Sequence, residues 1–549
     1  MKNLHYLLLC FMIISIGSCD YLEYDEIEKY GDDLIWKDRY RTRDFLGNVY
    51  NHMVTDFNQV GGAVRASGAD DAEEISSFYD IQKMNDGRWN ATQTVDSRWT
   101  SLYEGIRQAN LFLEKFDIEN FKERQYNEDY KQQIEQFRLF PYQARFLRAL
   151  LYFKLIKRYD HVPLVTKSLK LEEANTVKPS SYEEVTDFII SESEAVAPQL
   201  PITYESEPFK ETGRATRGAA LALKARALLY AASPSHNPSN DIDKWKKAAA
   251  AAKAVIDAGF YSLETDYSDA FNNTESDELI LGYREGSANY FERDNFPIGY
   301  EGANKNGTNP TQNLVNAFEM KSTGLPIDDP ASGYDPQNPY QGRDPRLQET
   351  VIVNNSSWKG RKVQMWEGGL DGPPTTGATK TGYYLKKYVQ EGVSFSTTNT
   401  TTARHVWVIF RYGGILLNYA EAMNEAYGPD NPADMGMSAR QAVNKIRARA
   451  GMPGFPGGMS KSEFREKYRN ERRVEMAFEN QRFWDIRRWK IGPSTTEIKG
   501  VDVIKNADGS FTYNEKTIEN RVWDDKMYLY PIPQSEIFNN EALKQNPGW

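Results

Sequence analysis

Two neighbouring stretches, RGAALALKARALLYAASP and DKWKKAAAAAKAVIDAGF, restrict this chain more than any other feature. Alanine and leucine recur there at three- and four-residue steps, so each stretch predicts a helix with an apolar face. The turn SPSHNPSND, rich in proline and asparagine, joins them. Alanine-rich faces bury little area alone and gain by close approach to another helix. A chain written this way must stack helix on helix. The same period recurs in DSRWTSLYEGIRQANLFLEKF, where Trp99, Leu102, Tyr103, Ile106, Asn110 and Leu113 share one side, and in YQARFLRALLYFKLIKRY, through Ala144, Leu147, Leu151 and Leu155. His161-Val162-Pro163 closes the latter, because a residue preceding proline is disfavoured in the helical region. YGGILLNYAEAMNEAYG, ARQAVNKIRARAG and SEFREKYRNERRVEMAFENQRFWDIRRW predict three more helices.

Ala-rich helix pairs, a leading tryptophan and tight turns resemble tetratricopeptide units, whose neighbours bury a shared core. Between the helical halves, from about 269 to 404, one short strand, ELILGY, is followed by EGANKNGTNPT, SGYDPQNPYQGRDPR and EGGLDGPPTTGATKTG. Loops this long inside a compact protein usually carry function. No Gly/Ser or Pro-rich linker divides the chain, so 19–549 reads as one domain. It comprises a helical first half over about 25–268, the loop-rich insertion, and closing helices and a terminal segment over about 405–549.

The N-terminus has the build of a lipoprotein leader over residues 1–18. Lys2 supplies positive charge, Leu4 to Gly17 is mostly apolar, and Gly17 and Ser18 stand before Cys19. The run is too short to span a bilayer as a retained helix. The chain has two cysteines, Cys10 and Cys19, and cleavage discards the first. A single thiol on an exported chain is best explained as a lipid attachment point, and several acyl chains on one residue anchor stably. An ordinary signal peptide with an incidental cysteine is the competing reading.

A formal net charge of −10 with no basic stripe argues against nucleic acid as a partner. With 13% aromatic residues and a mean hydropathy of −0.67, the chain reads as a large folded body, neither disordered nor membranous. His-Glu-x-x-His, Gly-x-Ser-x-Gly, the phosphate-cradling Gly-x-x-x-x-Gly-Lys, Cys-x-x-Cys and calcium-loop patterns are all missing, so nothing in the sequence points to a cofactor or metal. His161, at a helix end, and His236, in a turn, read as structural.

Asp70, Asp71, Glu73 and Glu74 in SGADDAEEISSF precede an expected helix. They can cap and solvate it, or bond ligand hydroxyls. Trp99, Trp245, Trp484 and Trp489 fall on helices and predict core packing. Trp89 is different, because MNDGRWNAT surrounds it with turn formers. An exposed Trp89 flanked by Arg88 and Asn90 would stack on a sugar ring while its neighbours bond the hydroxyls. Tyr290, Phe291, Tyr300, Trp358 and Trp366 have comparable settings in the middle loops, and each can instead anchor its loop.

Taken together, WTSLYEGIRQAN, ARFLRALLYFKLIKRYDHVPLV, GRDPRL, RYGGILLNYAEAMNEA, AVNKIRARAGMP, NERRVEMAFENQRFWDIRRW and YPIPQSEIFNNEALKQNPGW, in this order, resemble the SusD/RagB family of Bacteroidetes outer-membrane lipoproteins over essentially the whole mature length. The resemblance implies a mainly α, SusD-like fold with tetratricopeptide-type helix pairs as scaffold and a loop-rich centre with a few short strands. It implies a non-catalytic, surface-exposed lipoprotein, anchored in the outer membrane through Cys19, that binds oligosaccharide and caps a TonB-dependent SusC-like transporter. The acidic Asp20, Glu23, Asp25 and Glu26 are similar to the family's surface-export signals. Ligand contacts carried over by position are Asp70, Asp71, Arg88, Trp89 and Asn90, with Tyr290, Tyr300 and Trp358 from the central loops.

On the residues alone, the family's signatures read as architecture. In FENQRFWDIRRW the spacing pairs Glu479 with Arg482, Arg482 with Asp485, and Asp485 with Arg488 on one helical face. YPIP favours an extended segment. A surface glycosidase, needing only two carboxylates, and a helical-repeat scaffold or peptide binder remain the alternatives.

Overall fold

The computed structural model describes residues 32–53, 55–205, 211–304 and 307–549. The leader, Cys19 and the acidic run from Asp20 to Glu26 lie outside the described residues. The four helices predicted for the first half form, two unpredicted ones over Arg39–Asn51 and Tyr182–Val196 join them, and the six stack in chain order. They are α1 (Arg39–Asn51), α2 (Trp99–Lys115), α3 (Tyr130–Tyr159), α4 (Tyr182–Val196), α5 (Arg217–Ala232) and α6 (Ile242–Asp257). Each packs on the next. Helix α3 starts twelve residues before the stretch predicted from periodicity and runs through Pro141.

Local chemistry fixes the helix ends. The Thr216 hydroxyl accepts from the Ala219 amide at 3.1 Å to start α5, and the Asp241 carboxylate accepts from the Asp243 amide at 2.9 Å to start α6. The facing alanines are buried, among them Ala219, Ala222, Ala248 and Ala252. Close approach of α5 and α6 is the consequence their composition predicted.

The C-terminal half supplies α7 (Tyr412–Tyr427), α8 (Ala439–Arg449), α9 (Lys461–Glu475) and α10 (Arg482–Arg488). Helix α7 packs on α6, so the helical stack resumes across the long loop region as though uninterrupted. The strands are short and include β1 (Ala72–Glu74), β2 (Leu279–Arg284), β3 (Thr308–Pro310), β4 (Ser357–Trp358), β5 (Arg361–Lys362) and β6 (Val406–Arg411), with the longer hairpin β7 (Glu497–Lys505) and β8 (Phe511–Asn520). Antiparallel β2 and β6, with Arg284 opposite Val406 and Leu279 opposite Arg411, form the neck through which the loop region leaves and rejoins the stack. The fold is mainly α with a loop-rich centre, as expected.

One predicted helix breaks in two. SEFREKYRNERRVEMAFENQRFWDIRRW carries no proline or glycine, yet α9 ends at Glu475 and α10 begins at Arg482. Phe478 and Asn480 between them take positive φ values of 59° and 61°. The predicted ladder of charges fails with the helix. Asp485 does hold Arg488, at 2.7 Å, but Arg482 turns to Asp70 and Glu479 to Arg411 and Lys387.

Those long-range pairs belong to a buried network that bolts the loop region to the scaffold. Arg346 of the RDPR element bonds Asp344, Glu471 and Glu475 at 2.6–2.8 Å. Arg411 at the neck bonds Glu278, Glu475 and Glu479 at 2.5–2.8 Å, and Lys387 bonds Glu479 at 2.6 Å. Arg447 and Arg449 of α8 add Glu319, Glu471, Glu278 and Glu475. Arg346, Lys387, Arg411 and Arg447 are buried, the Arg449 side chain is nearly so, and each has its carboxylate, the condition under which buried charge is tolerated.

Candidate functional site

The loop region presents an outward-facing cluster around Tyr300. The hairpin β4–β5, the segment 296–304 and the loop 364–375 meet there. Asp371 is fully buried and takes Arg361 in a two-pronged grip, Nη1 to Oδ2 at 2.6 Å and Nη2 to Oδ1 at 2.7 Å. Its carboxylate also accepts from the Gly299 and Gln364 amides at 3.2 and 2.8 Å. A bidentate guanidinium held by a saturated carboxylate is fixed in plane as well as in position.

That plane lies on the Tyr300 ring, with the guanidinium carbon 3.7 Å from the ring centroid. The Tyr300 hydroxyl donates to the Trp358 carbonyl at 2.7 Å, and burial pushes its pKa up to about 12. Both side chains are half-buried and keep an edge to solvent. Around them stand Leu370, 56% exposed, and Phe395, over whose ring Arg293 sits at 5.3 Å. Phe296 packs beneath, its centroid 6.0 Å from Trp358 and 5.5 Å from Phe395. Gly299 is required by this approach, because a Cβ there would lie 2.6 Å from the Leu370 carbonyl oxygen and 2.7 Å from Asp371 Oδ1. The result is a shallow platform of ring, guanidinium and aliphatic edge that needs no rearrangement to accept a flat apolar face.

A family model described as the SusD family matches residues 268–549, just over half of the chain. The chain belongs to the SusD family. A second model, described as starch-binding associating with outer membrane, matches residues 28–229. Two SusD-like proteins of Formosa agariphila are 22% and 24% identical over the whole of this chain and cover 98% and 99% of their own lengths. Among solved structures, a SusD-like protein of Bacteroides fragilis superposes with a TM-score of 0.78 at 28% identity, covering 94% of this chain and 98% of that one. A second from the same organism, titled a SusD-like carbohydrate binding protein, gives 0.75 at 25% identity, covering 93% and 100%.

Of the residues that the sequence nominated in this SusD-family chain, the fold brings Tyr300 and Trp358 together and scatters the rest. Trp358 is 2% exposed and lends the platform its backbone carbonyl and its bulk, not a ring face. Tyr290 is 36% exposed and spends its hydroxyl on Glu285 at 2.7 Å.

The first-half nominees need correction. Trp89 is 2% exposed, edge-on to Tyr530 at 5.2 Å and to Trp549 at 4.7 Å, so the chain's closing segment covers the face expected to stack on sugar. Arg88 is exposed and bound to Asp86, while the Asn90 side-chain oxygen closes its own turn on the Thr92 and Gln93 amides. Asp70 and Asp71 are buried braces. Asp70 takes both ends of Arg482 at 2.8 Å, and Asp71 takes Arg473 at 2.6 Å. Burial raises the Asp70 carboxyl, but Arg473 and Arg482 outweigh it and hold its pKa well below the carboxylate range. Both carboxylates tie the first half to α9 and α10, and neither faces outward.

Other expectations hold in the structure. Trp99, Trp245, Trp484 and Trp489 are buried in the core. His236 stacks flat on Tyr182 at 3.5 Å, and the His161 ring lies 3.2 Å from the Lys544 carbonyl. Arg361 and Asp371, the pair that shapes the platform, were missed. The glycine-rich EGGLDGPP around Asp371 was the available signal, marking a loop that turns tightly enough to bury a carboxylate.

Proposed function

We propose that this SusD-family chain is a non-catalytic, cell-surface glycan-binding lipoprotein, and that the platform around Tyr300 and Arg361 is where saccharide rests. The observation that carries this reading is the rigid Tyr300–Arg361 stack: a half-buried aromatic ring with a guanidinium laid on one face and pinned there by Asp371. Sugar rings offer apolar C–H faces and equatorial hydroxyls, which match the open side of this stack and the N–H groups that Asp371 leaves unused. The starch-binding description of the matched family model and the carbohydrate-binding Bacteroides fragilis relative support the same substrate class. A shallow surface with few contacts binds weakly once ordering costs are met, which suits capture and release.

The remainder of the proposal is delivery. Cys19 carries the lipid, the body stands on the outer membrane facing the exterior, and bound oligosaccharide passes to a TonB-dependent SusC-like transporter. Among the described residues no helix is long and apolar enough to cross a membrane, consistent with a tethered body. The test is a glycan array probed with the chain from residue 20 onward, which keeps every described element. Binding should occur with the glycan's mass unchanged and no new reducing ends. Release of reducing ends would instead favour the glycosidase reading, and capture of peptides alone would overturn the substrate class.

A further inference from the structure

A second cavity, of about 450 Å³, opens at the C-terminal end of α3. Its size falls within the range that holds small ligands. Five cationic side chains line it, including Lys157, Arg487, Lys490 and Lys526, against three carboxylates, Asp160, Asp524 and Asp525. Elsewhere in this fold many buried cations meet carboxylates, as Arg346, Arg411 and Arg447 do, while buried Arg343 is held by the Val315, Phe318 and Pro339 carbonyls. Four cations of this cavity, buried Arg487, half-buried Lys157 and Lys526 and exposed Lys490, meet none. Among the described residues Lys157, Arg487, Lys490 and Lys526 make no ion pair, and each instead rests on an aromatic ring. Lys157 Nζ is 4.1 Å from the Trp484 centroid, and the Arg487 guanidinium carbon is 3.5 Å from that of Phe483. Lys490 and Lys526 lie 5.6 and 4.9 Å from Tyr528 and Trp549.

Further in, the deficit deepens. Lys154, Arg226 and Lys157 line a narrow recess that shares Tyr230 and Trp484 with the cavity, and the one carboxylate in its lining, Glu479, is taken by Lys387 and Arg411. The Lys154 ammonium, on a residue 7% exposed, has no hydrogen-bond or ion-pair partner among the described residues. Arg226 donates to the Ile409 carbonyl and meets no carboxylate, and its Nε, like that of buried Arg487, has no acceptor. Burial, reinforced by Arg158 and Arg226, lowers Lys154 to about 7. Burial and the neighbouring Lys154 likewise hold Lys157 well below the usual lysine range.

The backbone at the cavity wall is also strained. Asp160 sits at φ 66° and ψ −76° and forms a three-residue turn, the His161 amide donating to the Tyr159 carbonyl at 2.9 Å. This is the rare γ-turn form, disfavoured for a residue with a Cβ. Asp160 is thereby aimed at His236, 3.4 Å away, and at His161, 3.7 Å away. Of the cavity's carboxylates, this one is drawn toward imidazoles.

From this unmatched cationic lining we infer that the cavity is a binding site for the oxyanion group of a small solute: a sulfate, phosphate or carboxylate seated between Lys157, Arg487 and Lys490. An anion there supplies the counter-charge that the protein withholds. The site is separate from the Tyr300 platform and does not rest on the glycan-binding reading.

The test is calorimetric titration of the chain from residue 20 onward with sodium sulfate, sodium phosphate and glucuronate, against glucose and matched sodium chloride. At least one oxyanion should bind one-to-one, while glucose and chloride give no saturable heat. Lys157→Gln and, independently, the solvent-exposed Lys490→Gln should each weaken that binding tenfold or more, with Lys157→Arg retaining it. Inorganic sulfate or phosphate binding as tightly as glucuronate identifies a free-anion site; a preference for glucuronate identifies a subsite for acidic sugars. No saturable binding by any of the three, or unchanged affinity in Lys490→Gln and a folded Lys157→Gln, overturns the inference. Where sulfate binds in solution, a selenate-soaked crystal with no anomalous peak in the cavity does so as well.

Discussion

Glu475→Gln is the sharpest probe of what holds the loop region to the helical stack. Glu475 is fully buried and receives Arg346 and Arg411 at 2.8 Å and Arg449 at 2.5 Å. Burial raises its pKa, but the three guanidiniums outweigh that and hold it far below the carboxylate range. The amide replacement keeps the shape, removes the charge, and points an N–H group at a guanidinium. Breaking a buried pair from one side costs about 3–5 kcal/mol, because the partner charges stay behind. With an unfolding entropy of about 2.1 cal/mol/K per residue, a chain of roughly 500 ordered residues loses about 1 °C of Tm per kcal/mol. The expected drop is therefore about 3–5 °C in a calorimetric melt at pH 7. Lys246→Gln, which removes an exposed pair with Asp243, should leave the midpoint unchanged. A Glu475→Gln midpoint within 1 °C of wild type would refute the idea that this network fastens the two halves.

Other perturbations test the remaining assignments. Trp89→Ala should destabilise by about 3–5 kcal/mol, as loss of a buried aromatic does, and Trp89→Phe by less; a Trp89→Ala protein as stable as wild type would contradict its place between Tyr530 and Trp549. Burial raises Asp56 and Glu74 to about 7, so their contribution is full below the unfolded carboxylate range and is lost as pH rises through 7. Burial would raise Glu421 too, but Arg488 outweighs it and holds it at about 2, so its contribution is present above the unfolded value and lost as pH falls toward 2. The melting midpoint should peak near pH 5 and fall on both sides, with Asp56→Asn flattening the alkaline limb; a midpoint still rising from pH 5 to 8 would reverse the sign of this account. Gly299→Ala drives a methyl into Leu370 and Asp371, which should cost about 1–3 kcal/mol and weaken glycan retention in an affinity gel, whereas unchanged retention would detach this loop from the site.

Helix period and alanine-rich faces made the scaffold legible before any coordinates, because α5 and α6 depend on contacts that small residues allow at short range in sequence. The break between α9 and α10 was not legible. No proline or glycine marks it; Glu475 and Glu479 are drawn to Arg411 and Lys387 from distant segments, and Phe478 and Asn480 bend to permit it. The same limit governs the site. Trp89 has the neighbours of an exposed residue, yet Tyr530 and Trp549 return from the end of the chain to cover it. Tyr300 could be picked out by its setting, but the Arg361 that fixes its surface acts through Asp371, and only folded loops bring the three together. Local pattern reports local structure; burial and charge partners at long range do not leave a local trace.

The most direct measurement is the affinity of the tightest glycan from the array for Tyr300→Ala beside Trp89→Phe, both checked by melting to be folded. Stacking contacts on aromatic rings are worth about 1–3 kcal/mol each, so Tyr300→Ala should bind roughly ten- to a hundredfold more weakly, while Trp89→Phe should bind as wild type does. Undiminished binding by Tyr300→Ala, with loss in Trp89→Phe, would contradict the platform and return the site to the first half of the chain.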